Sequence, residues 1–356
     1  MADDGYEFLD QALAFLSDTG SLLKNGNVNH TPMVTEALVA MGQGSSALPW
    51  VCTHLRGTML EKKPAEVLVS FDWIDDWQQF LGDRSFDAKW RAFFVHELET
   101  DDWRTVLNHW SFRLAPGLFA AATHGIIRVG HAVRALSVHD TPLRRRELSE
   151  GLALWAVAYQ TLPEDRGYTG PLLSPALALA HVPLLPLEHR KNEGAITTAL
   201  EQLDQVPEFA PVIGMIDLSE NPGDLANAVA SVFAQVFLDQ THSPLSVIVY
   251  THSITTVAAI LNISPHVSDE TLRVLLTYGW QVACGLYSAY GLSPRPGPGA
   301  MDEESEKEIA EKAVAHGDDH VIKLSEACLA LYGRTGEQPF LMVPARARAL
   351  LQADPS

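Results

Sequence analysis

The chain has 356 residues, of which 47% are apolar and 19% charged, and its formal net charge is −19. The apolar content excludes a disordered chain, which combines low hydrophobicity with high net charge. The acidic balance excludes most nucleic-acid and anionic-membrane partners, because phosphate binding draws on clustered Lys and Arg. The one compact basic cluster in the sequence, Arg144, Arg145 and Arg146, is predicted to be a solvated face.

Apolar residues recur at helical spacing along almost the whole chain. The predicted helices cover, in chain order, about 5–24, 32–41, 86–100, 116–137, 145–161, 222–240, 244–262, 269–290 and 303–333. Residues 245–250 (LSVIVY) could pass for a buried strand, but a single strand cannot build a sheet. Segments 162–175 and 291–301 are rich in Pro and Gly, which predicts connectors. The fold class that follows is all-α, with one compact multi-helical domain over residues 1–356.

Several features of the sequence predict a cytoplasmic protein. The three cysteines are far apart and form no CxxC pair, which is typical of buried thiols in a reducing compartment. The acidic start MADDGYEFLD lacks the basic region and apolar run of a secretory signal. The apolar stretch 172–187 is interrupted by prolines and is shorter than the roughly 20 residues of a membrane-spanning helix.

The chain has 14 His against only 8 Lys. Imidazole is the commonest metal ligand, so this ratio prompts a search for a metal site. Five histidines lie in or beside apolar segments, where a ring is costly to bury unless its nitrogens find partners. They are His30, His124, His131, His252 and His320. A metal shared between helices would satisfy several of them together, although His124 and His131 are about 10 Å apart along one helix and cannot easily share one ion.

Lys323 lies three residues after His320, inside the apolar run VIKLSEACLALY. An ammonium group is expensive to bury there. One interpretation is a lysine that extends its amine to water. The other is a lysine with a lowered pKa, whose neutral amine takes up CO₂ and becomes a carbamate, a carboxylate-like metal ligand.

Four segments resemble those of the questin oxidase family: NHTPMVTEALVAMG (29–42), THGIIRVGHAVRAL (123–136), VYTHSITTVAA (249–259) and DDHVIKLSEACL (318–329). They occur in family order and spread over nearly the whole chain. A relative in this family is a non-haem iron oxygenase, so the resemblance implies an all-helical fold with a buried His-rich centre. In that relative iron is held by four histidines and a carboxylated lysine. Carried over onto this sequence, the implied ligands are His30, His124, His252, His320 and Lys323.

The resemblance also implies an activity. Fungal members open a ring of anthraquinone-type polyketides, formally a Baeyer–Villiger oxidation, so we expect an Fe(II)-dependent oxygenase that uses O₂ on a small aromatic substrate. No GxGxxG motif follows a predicted strand, so a built-in nicotinamide or flavin domain finds no support and an NADPH requirement stays open. His131 departs from the fungal pattern, as does Arg128, where fungal members carry a second histidine. We expect His131 behind the ligands or in the substrate pocket, with a catalytic role, or else as a core histidine bonded to a neighbouring helix.

Two other classes of function remain open. A hydrolase could use the same His-rich centre with Zn²⁺ or Mn²⁺ to activate water. A non-catalytic helical protein could bind an aromatic product or a partner protein. The sequence leaves the natural substrate and the oligomeric state open.

Overall fold

The computed structural model describes residues 5–23, 27–57, 60–62, 70–191, 194–292 and 303–354. Within these ranges the chain forms fifteen α-helices and one two-stranded antiparallel sheet, so the prediction of a compact all-α fold is confirmed. The strands are β1, Thr19–Leu23, and β2, Leu60–Lys62. The helices are α1 Tyr6–Leu16, α2 Thr31–Ala40, α3 Ala47–Gly57, α4 Asp87–Thr100, α5 Trp103–Leu114, α6 His124–Val138, α7 Pro142–Val157, α8 Pro175–Leu179, α9 Ile196–Leu200, α10 Pro222–Gln240, α11 Pro244–Ile263, α12 Asp269–Tyr290, α13 Glu306–His316, α14 Asp319–Thr335 and α15 Pro339–Leu350.

Helix α11 runs through the middle of the core. It packs against α6, α10, α12 and α14, and it is buried almost without interruption from Ser246 to Leu261. By length and composition alone the segment Pro244–His266 could cross a membrane, and 83% of its most apolar window is buried inside the protein. Contact with helices on all sides accounts for this composition, because a surrounded helix needs no polar face.

The apolar spacing predicts one helix over 303–333, but the structure has two, α13 and α14. Gly317 follows α13 with a φ of 79°, a left-handed conformation that glycine adopts without strain and that ends a helix. Asp318 then caps α14, because its side chain accepts hydrogen bonds from the backbone N–H groups of His320 and Val321. The break places His320 in the first turn of a new helix.

A left-handed turn precedes α6, where the spacing predicts continuous helix over 116–137. Ala121, Ala122 and Thr123 have φ angles of 50°, 54° and 69°. This conformation costs roughly 1–2 kcal/mol for each residue that carries a Cβ, so the surrounding packing must hold it. Helical periodicity cannot reveal such a turn, since alanine is a strong helix former. As a result α6 begins at His124.

Other boundaries also differ from the predicted ones. The helix predicted over 5–24 ends at Leu16, and the chain continues into β1. Helices α3, α5, α8, α9 and α15 have no predicted counterpart. Helix α5 interleaves tryptophans with polar residues and α15 contains Pro344, so neither presents a clean apolar stripe in the sequence.

The arginine cluster predicted to be a solvated face is partly buried. Arg144 is 2% exposed and donates to both carboxylate oxygens of Asp10. Its remaining hydrogen bonds go to the backbone carbonyls of Tyr6, Ala135 and His139. Burial is tolerated because all five donors of this guanidinium find acceptors.

Candidate metal centre

Four of the five histidines singled out in the sequence converge in one place. His30 is the N-cap residue of α2, His124 the first residue of α6, and His320 the second residue of α14. His252 lies in the middle of α11 and contributes the fourth ring. Three helices therefore begin at the same place, and the positive ends of their dipoles lie there.

The four imidazole rings form a closed cycle. The ring centroids of His30 and His124 are 4.6 Å apart, and those of His124 and His252 are 4.9 Å apart. The cycle closes through His320, whose centroid lies 5.9 Å from that of His252 and 5.0 Å from that of His30. Side chains from four separate helices thus surround one small volume.

The Nδ1 atoms of His124 and His252 are held by backbone carbonyls. His124 Nδ1 lies 2.6 Å from the carbonyl oxygen of Ala121, and His252 Nδ1 lies 2.7 Å from that of Ile248. A carbonyl oxygen only accepts, so each Nδ1 carries the proton and each neutral ring keeps its lone pair on Nε2. Ala121 is the first residue of the left-handed turn, so that turn takes part directly in orienting His124.

Asp319 holds the other two rings. Its Oδ2 lies 2.6 Å from His30 Nδ1, and its Oδ1 lies 2.5 Å from His320 Nδ1. Burial alone would raise the pKa of Asp319, but His30 and His320 lower it well below its usual range, so the carboxylate is ionised. Both Nδ1 atoms therefore carry protons, so Nε2 is the atom of each ring that is left to bind a metal.

The role of Asp319 is not apparent from the sequence. Two aspartates at a helix start, Asp318 and Asp319, indicate an exposed first turn. Asp318 does cap α14, but the side chain of Asp319 is only 17% exposed and faces the rings. Ligand atoms of His30, Asp319 and His320 lie within 4.8 Å of one another. Because carboxylates often orient histidine ligands, the aspartate directly before His320 was the available signal.

Burial keeps three of the rings neutral at pH 7. It lowers the pKa of His30 to about 4, although Asp319 acts in the opposite direction, and it lowers the pKa values of His124 and His252 well below their usual range. Neutral imidazole is the form that binds metals. The Nε2 atom of His124 is buried and has no hydrogen-bond partner in the described part of the chain, which is costly unless a ligand engages it.

Lys323 lies one turn beyond His320 on α14 and is 3% exposed. No hydrogen bond joins its amine to another described residue. Burial lowers the pKa of Lys323, and the charges of Asp319 and Asp318 only partly offset this effect. With so little of its surface exposed, this side chain lies mostly away from water, which fits the first of the two interpretations of its position poorly.

The donor set fits a divalent transition metal. Imidazole nitrogen suits Fe, Zn, Cu and Ni, whereas Mg²⁺ and Ca²⁺ prefer oxygen ligands. The Nε2 atom of His124, which is buried without a hydrogen-bond partner among the described residues, is a nitrogen that such a metal would engage. The residues present therefore fit the iron that the resemblance implies.

His131 lies outside the cycle of rings. Its Nδ1 is 2.7 Å from Oε2 of Glu36 on α2, the arrangement of a core histidine bonded to a neighbouring helix. Arg134 donates to the same carboxylate and also to Glu326 on α14, while Tyr6 donates to Glu36 Oε1. We call these five residues the Glu36 cluster. A catalytic role for His131 stays a prediction.

Two members of the Glu36 cluster, Glu36 and Arg134, are ionised although they are buried. Burial alone would raise the pKa of Glu36, but Arg134 and the hydrogen bond from His131 lower it to about 2. Burial would lower the pKa of Arg134, but Glu326 and Glu36 raise it well above its usual range. The sequence contained a signal for this cluster, since charged residues stand inside the apolar segments around Glu36 and Arg134.

The sequence was compared with models of protein families and with curated proteins. A family model described as questin oxidase-like matches residues 28–328, which include all four ring histidines and Lys323. A search of curated proteins finds no match. The family description suggests an oxidoreductase, an oxidase of polyketide-type substrates. Because the match covers most of its length, the chain belongs to the questin oxidase-like family.

Proposed function

We propose that this protein is a non-haem iron oxygenase that cleaves a ring of an aromatic polyketide, of the anthraquinone or hydroquinone type, by a Baeyer–Villiger-type oxidation with O₂. The observation that carries the proposal is the cycle of four imidazoles, each with its Nδ1 proton engaged, so that Nε2 is the ring atom left for a metal. The family description, which names an oxidase, supports the reaction class.

His30, His124, His252 and His320 would hold the iron. Their Nδ1 atoms are tied to Asp319 or to the backbone, so the orientation and protonation of the rings are set before a metal binds. Bound Fe²⁺ supplies the unpaired electrons that allow triplet O₂ to react with a closed-shell aromatic ring. The apolar helices around the rings keep bulk water away from that chemistry.

Lys323 would supply a fifth, anionic ligand as a carbamate. The ammonium first releases one proton. The neutral amine then attacks the carbon of CO₂, an N–C bond forms as one C=O π bond opens, and the nitrogen releases a second proton, so that a cation becomes a carboxylate-like anion. Burial favours this step, because a lowered pKa increases the fraction of neutral amine. The helix N-termini at the centre would stabilise the negative charge that results.

The substrate would be a small, electron-rich aromatic molecule. Such a molecule needs no basic patch, so the net charge of −19 does not oppose its binding. When one atom of O₂ enters the ring and the other leaves as water, the reaction consumes two electrons and two protons. A hydroquinone substrate carries both, whereas a quinone substrate would require NADPH or another reductant.

Metal content and oxygen uptake test the proposal. Protein purified without added metal is expected to contain stoichiometric iron, and O₂ is expected to be consumed when a polycyclic hydroquinone is added. Stoichiometric zinc without O₂ uptake would contradict the oxygenase and favour a metal-dependent hydrolase. Binding of the aromatic molecule without any metal or turnover would favour a non-catalytic binding protein.

The carbamate has its own test. In ¹³C-labelled bicarbonate, the wild-type protein is expected to show a carbamate carbon signal that is absent from Lys323→Met. Lys323→Met is also expected to lose metal, and Lys323→Glu is expected to retain part of it because it restores a carboxylate. Lys312→Met, at a half-exposed lysine paired with Glu304, is the matched control and is expected to behave like wild type. A wild-type protein that binds iron without the carbon signal would contradict this part of the proposal.

A further inference from the structure

The Glu36 cluster connects three helices through one arginine. Arg134 of α6 donates through Nε to Glu36 Oε1 on α2 at 2.8 Å, and through a second nitrogen to Glu326 on α14. His131, also on α6, lies 2.7 Å from Glu36 Oε2. Glu36 is 2% exposed and Glu326 is 5% exposed, so both carboxylates depend on these partners instead of water.

The same three helices carry the proposed metal ligands at their starts. His30 precedes Glu36 by six residues, and His320 precedes Glu326 by six residues. At 1.5 Å per residue, the Cα atoms of both glutamates lie about 9 Å along their helices from those of the two histidines. The α2, α6 and α14 helices therefore meet twice, first at the histidines and again about two turns further on at the cluster.

The direction of the arginine side chain brings its guanidinium to this level. Arg134 lies ten residues after His124, which places its Cα about 15 Å along α6. Helical side chains point back towards the N-terminus. The guanidinium thus reaches back to the level of Glu36 and Glu326, where its planar fork donates in fixed directions to both. Such a contact is sensitive to the relative displacement of the three helices.

We infer that Arg134 is a positioning residue of the metal centre, which through Glu36 and Glu326 sets the mutual register of the three helices that present His30, His124 and His320. The inference rests on the proposed function, since it assumes that the histidines bind a metal. Lys323 is positioned by the same contact, because Glu326 lies one turn beyond it on α14.

Arg134→Met tests this role, with Arg144→Met as the matched control. Arg144 is also a buried arginine paired with a carboxylate, that of Asp10 on α1, which is about one-third exposed. It donates as well to the backbone carbonyls of Ala135 and His139 at the end of α6, so it contacts one ligand-bearing helix but links no two of them. The measurement is the affinity of each metal-free protein for Co²⁺ in competition with a chelator, together with the Co²⁺ visible absorption spectrum, which reports ligand number and geometry. Thermal unfolding without metal gives the stability of each variant separately.

Arg134→Met is expected to bind Co²⁺ about 10- to 100-fold more weakly than wild type, the range seen when groups that orient metal ligands are removed, and to show an altered spectrum. Arg144→Met is expected to unfold at a lower temperature but to bind Co²⁺ with the wild-type affinity and spectrum. Arg134→Lys, which keeps the charge but loses the planar fork, is expected to recover part of the affinity.

Unchanged Co²⁺ binding by Arg134→Met, or an equal loss of affinity in Arg144→Met, would overturn the role of Arg134 and leave the proposed metal centre unaffected. A wild-type protein that binds no Co²⁺ would overturn the proposed metal centre, and the inference with it. If Arg134→Met does not fold, Glu326→Gln removes one charged partner at nearly constant volume and is expected to weaken Co²⁺ binding in the same direction. Wild-type affinity in Glu326→Gln would then count against the role of Arg134.

Discussion

Replacement of Asp319 by Asn changes which protons His30 and His320 can carry. Asparagine has the shape of aspartate, but its amide offers one acceptor oxygen and one donor nitrogen. The oxygen can accept the Nδ1 proton of one ring, while the amide NH₂ group faces the protonated Nδ1 of the other ring, at contacts that are now 2.5 and 2.6 Å. That ring must turn away or move its proton to Nε2, the atom proposed to bind the metal.

Asp319→Asn is expected to weaken metal binding and to change the stability of the metal-free protein. Partners that orient histidine ligands contribute about 10- to 100-fold in metal affinity, which corresponds to about 1.4–2.8 kcal/mol. In the metal-free protein, one lost charge-assisted hydrogen bond costs roughly 1.5–3 kcal/mol. Removal of a buried negative charge offsets part of that cost. Metal affinity should therefore fall by at least tenfold, while the free energy of unfolding without metal should fall by no more than about 3 kcal/mol.

Asp318→Asn is the matched control for this substitution. It removes the same charge one residue earlier, and Asp318 contacts backbone N–H groups of α14 instead of the rings. Asparagine is as good an N-cap as aspartate, so α14 should keep its start. The assay is chelator competition for Fe²⁺ or Co²⁺, combined with thermal unfolding with and without metal. Equal affinities in the two variants would refute the assigned role of Asp319, and a loss far beyond 100-fold would indicate that Asp319 is itself a ligand.

Three further predictions concern stability. The pKa of His30 is lowered to about 4 in the folded protein. As the pH falls below 6.5, the unfolded chain therefore binds a proton at this side chain before the folded protein does. Denaturation of the metal-free protein between pH 7 and 4 should show the free energy of unfolding falling by up to about 1.4 kcal/mol per pH unit from this group alone, and a flat profile would contradict its burial. In Gly130→Ala the new Cβ would lie 2.6 Å from the Cβ and 2.7 Å from the Cα of Ala259, so α6 and α11 must separate. Thermal and metal titrations should show a destabilisation of about 1–3 kcal/mol with weaker metal binding, and wild-type values would show that the two helices can adjust. A Cβ at Gly333, in the last turns of α14, meets nothing within 4 Å. Gly333→Ala should therefore raise the free energy of unfolding by about 0.5–1 kcal/mol, and a loss in urea denaturation would contradict this.

Helix boundaries could be predicted where local chemistry sets them. The predicted helices at 222–240 and 269–290 have the same limits as α10 and α12. In both helices the side chain of the N-cap residue, Asn221 or Ser268, accepts hydrogen bonds from the first turn, and such caps can be recognised in the sequence. The left-handed turn before His124 could not be predicted, because distant packing and not local propensity holds three consecutive residues in that conformation.

For the candidate metal centre, too, some features follow from the sequence and others only from the tertiary structure. The sequence by itself determined which histidines and which lysine to consider, since imidazoles and an amine inside apolar segments need partners wherever those segments pack. It also determined the family, through four ordered segments that the family match encompasses in large part. Only the tertiary structure decided that four rings form one cycle and that His131 lies in a separate cluster. It alone decided that Asp319 faces His30, a residue 289 positions away in the chain. The reason is physical: the cost of burying a polar group is local and visible in sequence, whereas the partner that satisfies it is supplied by another helix, whose position depends on the packing of the whole core.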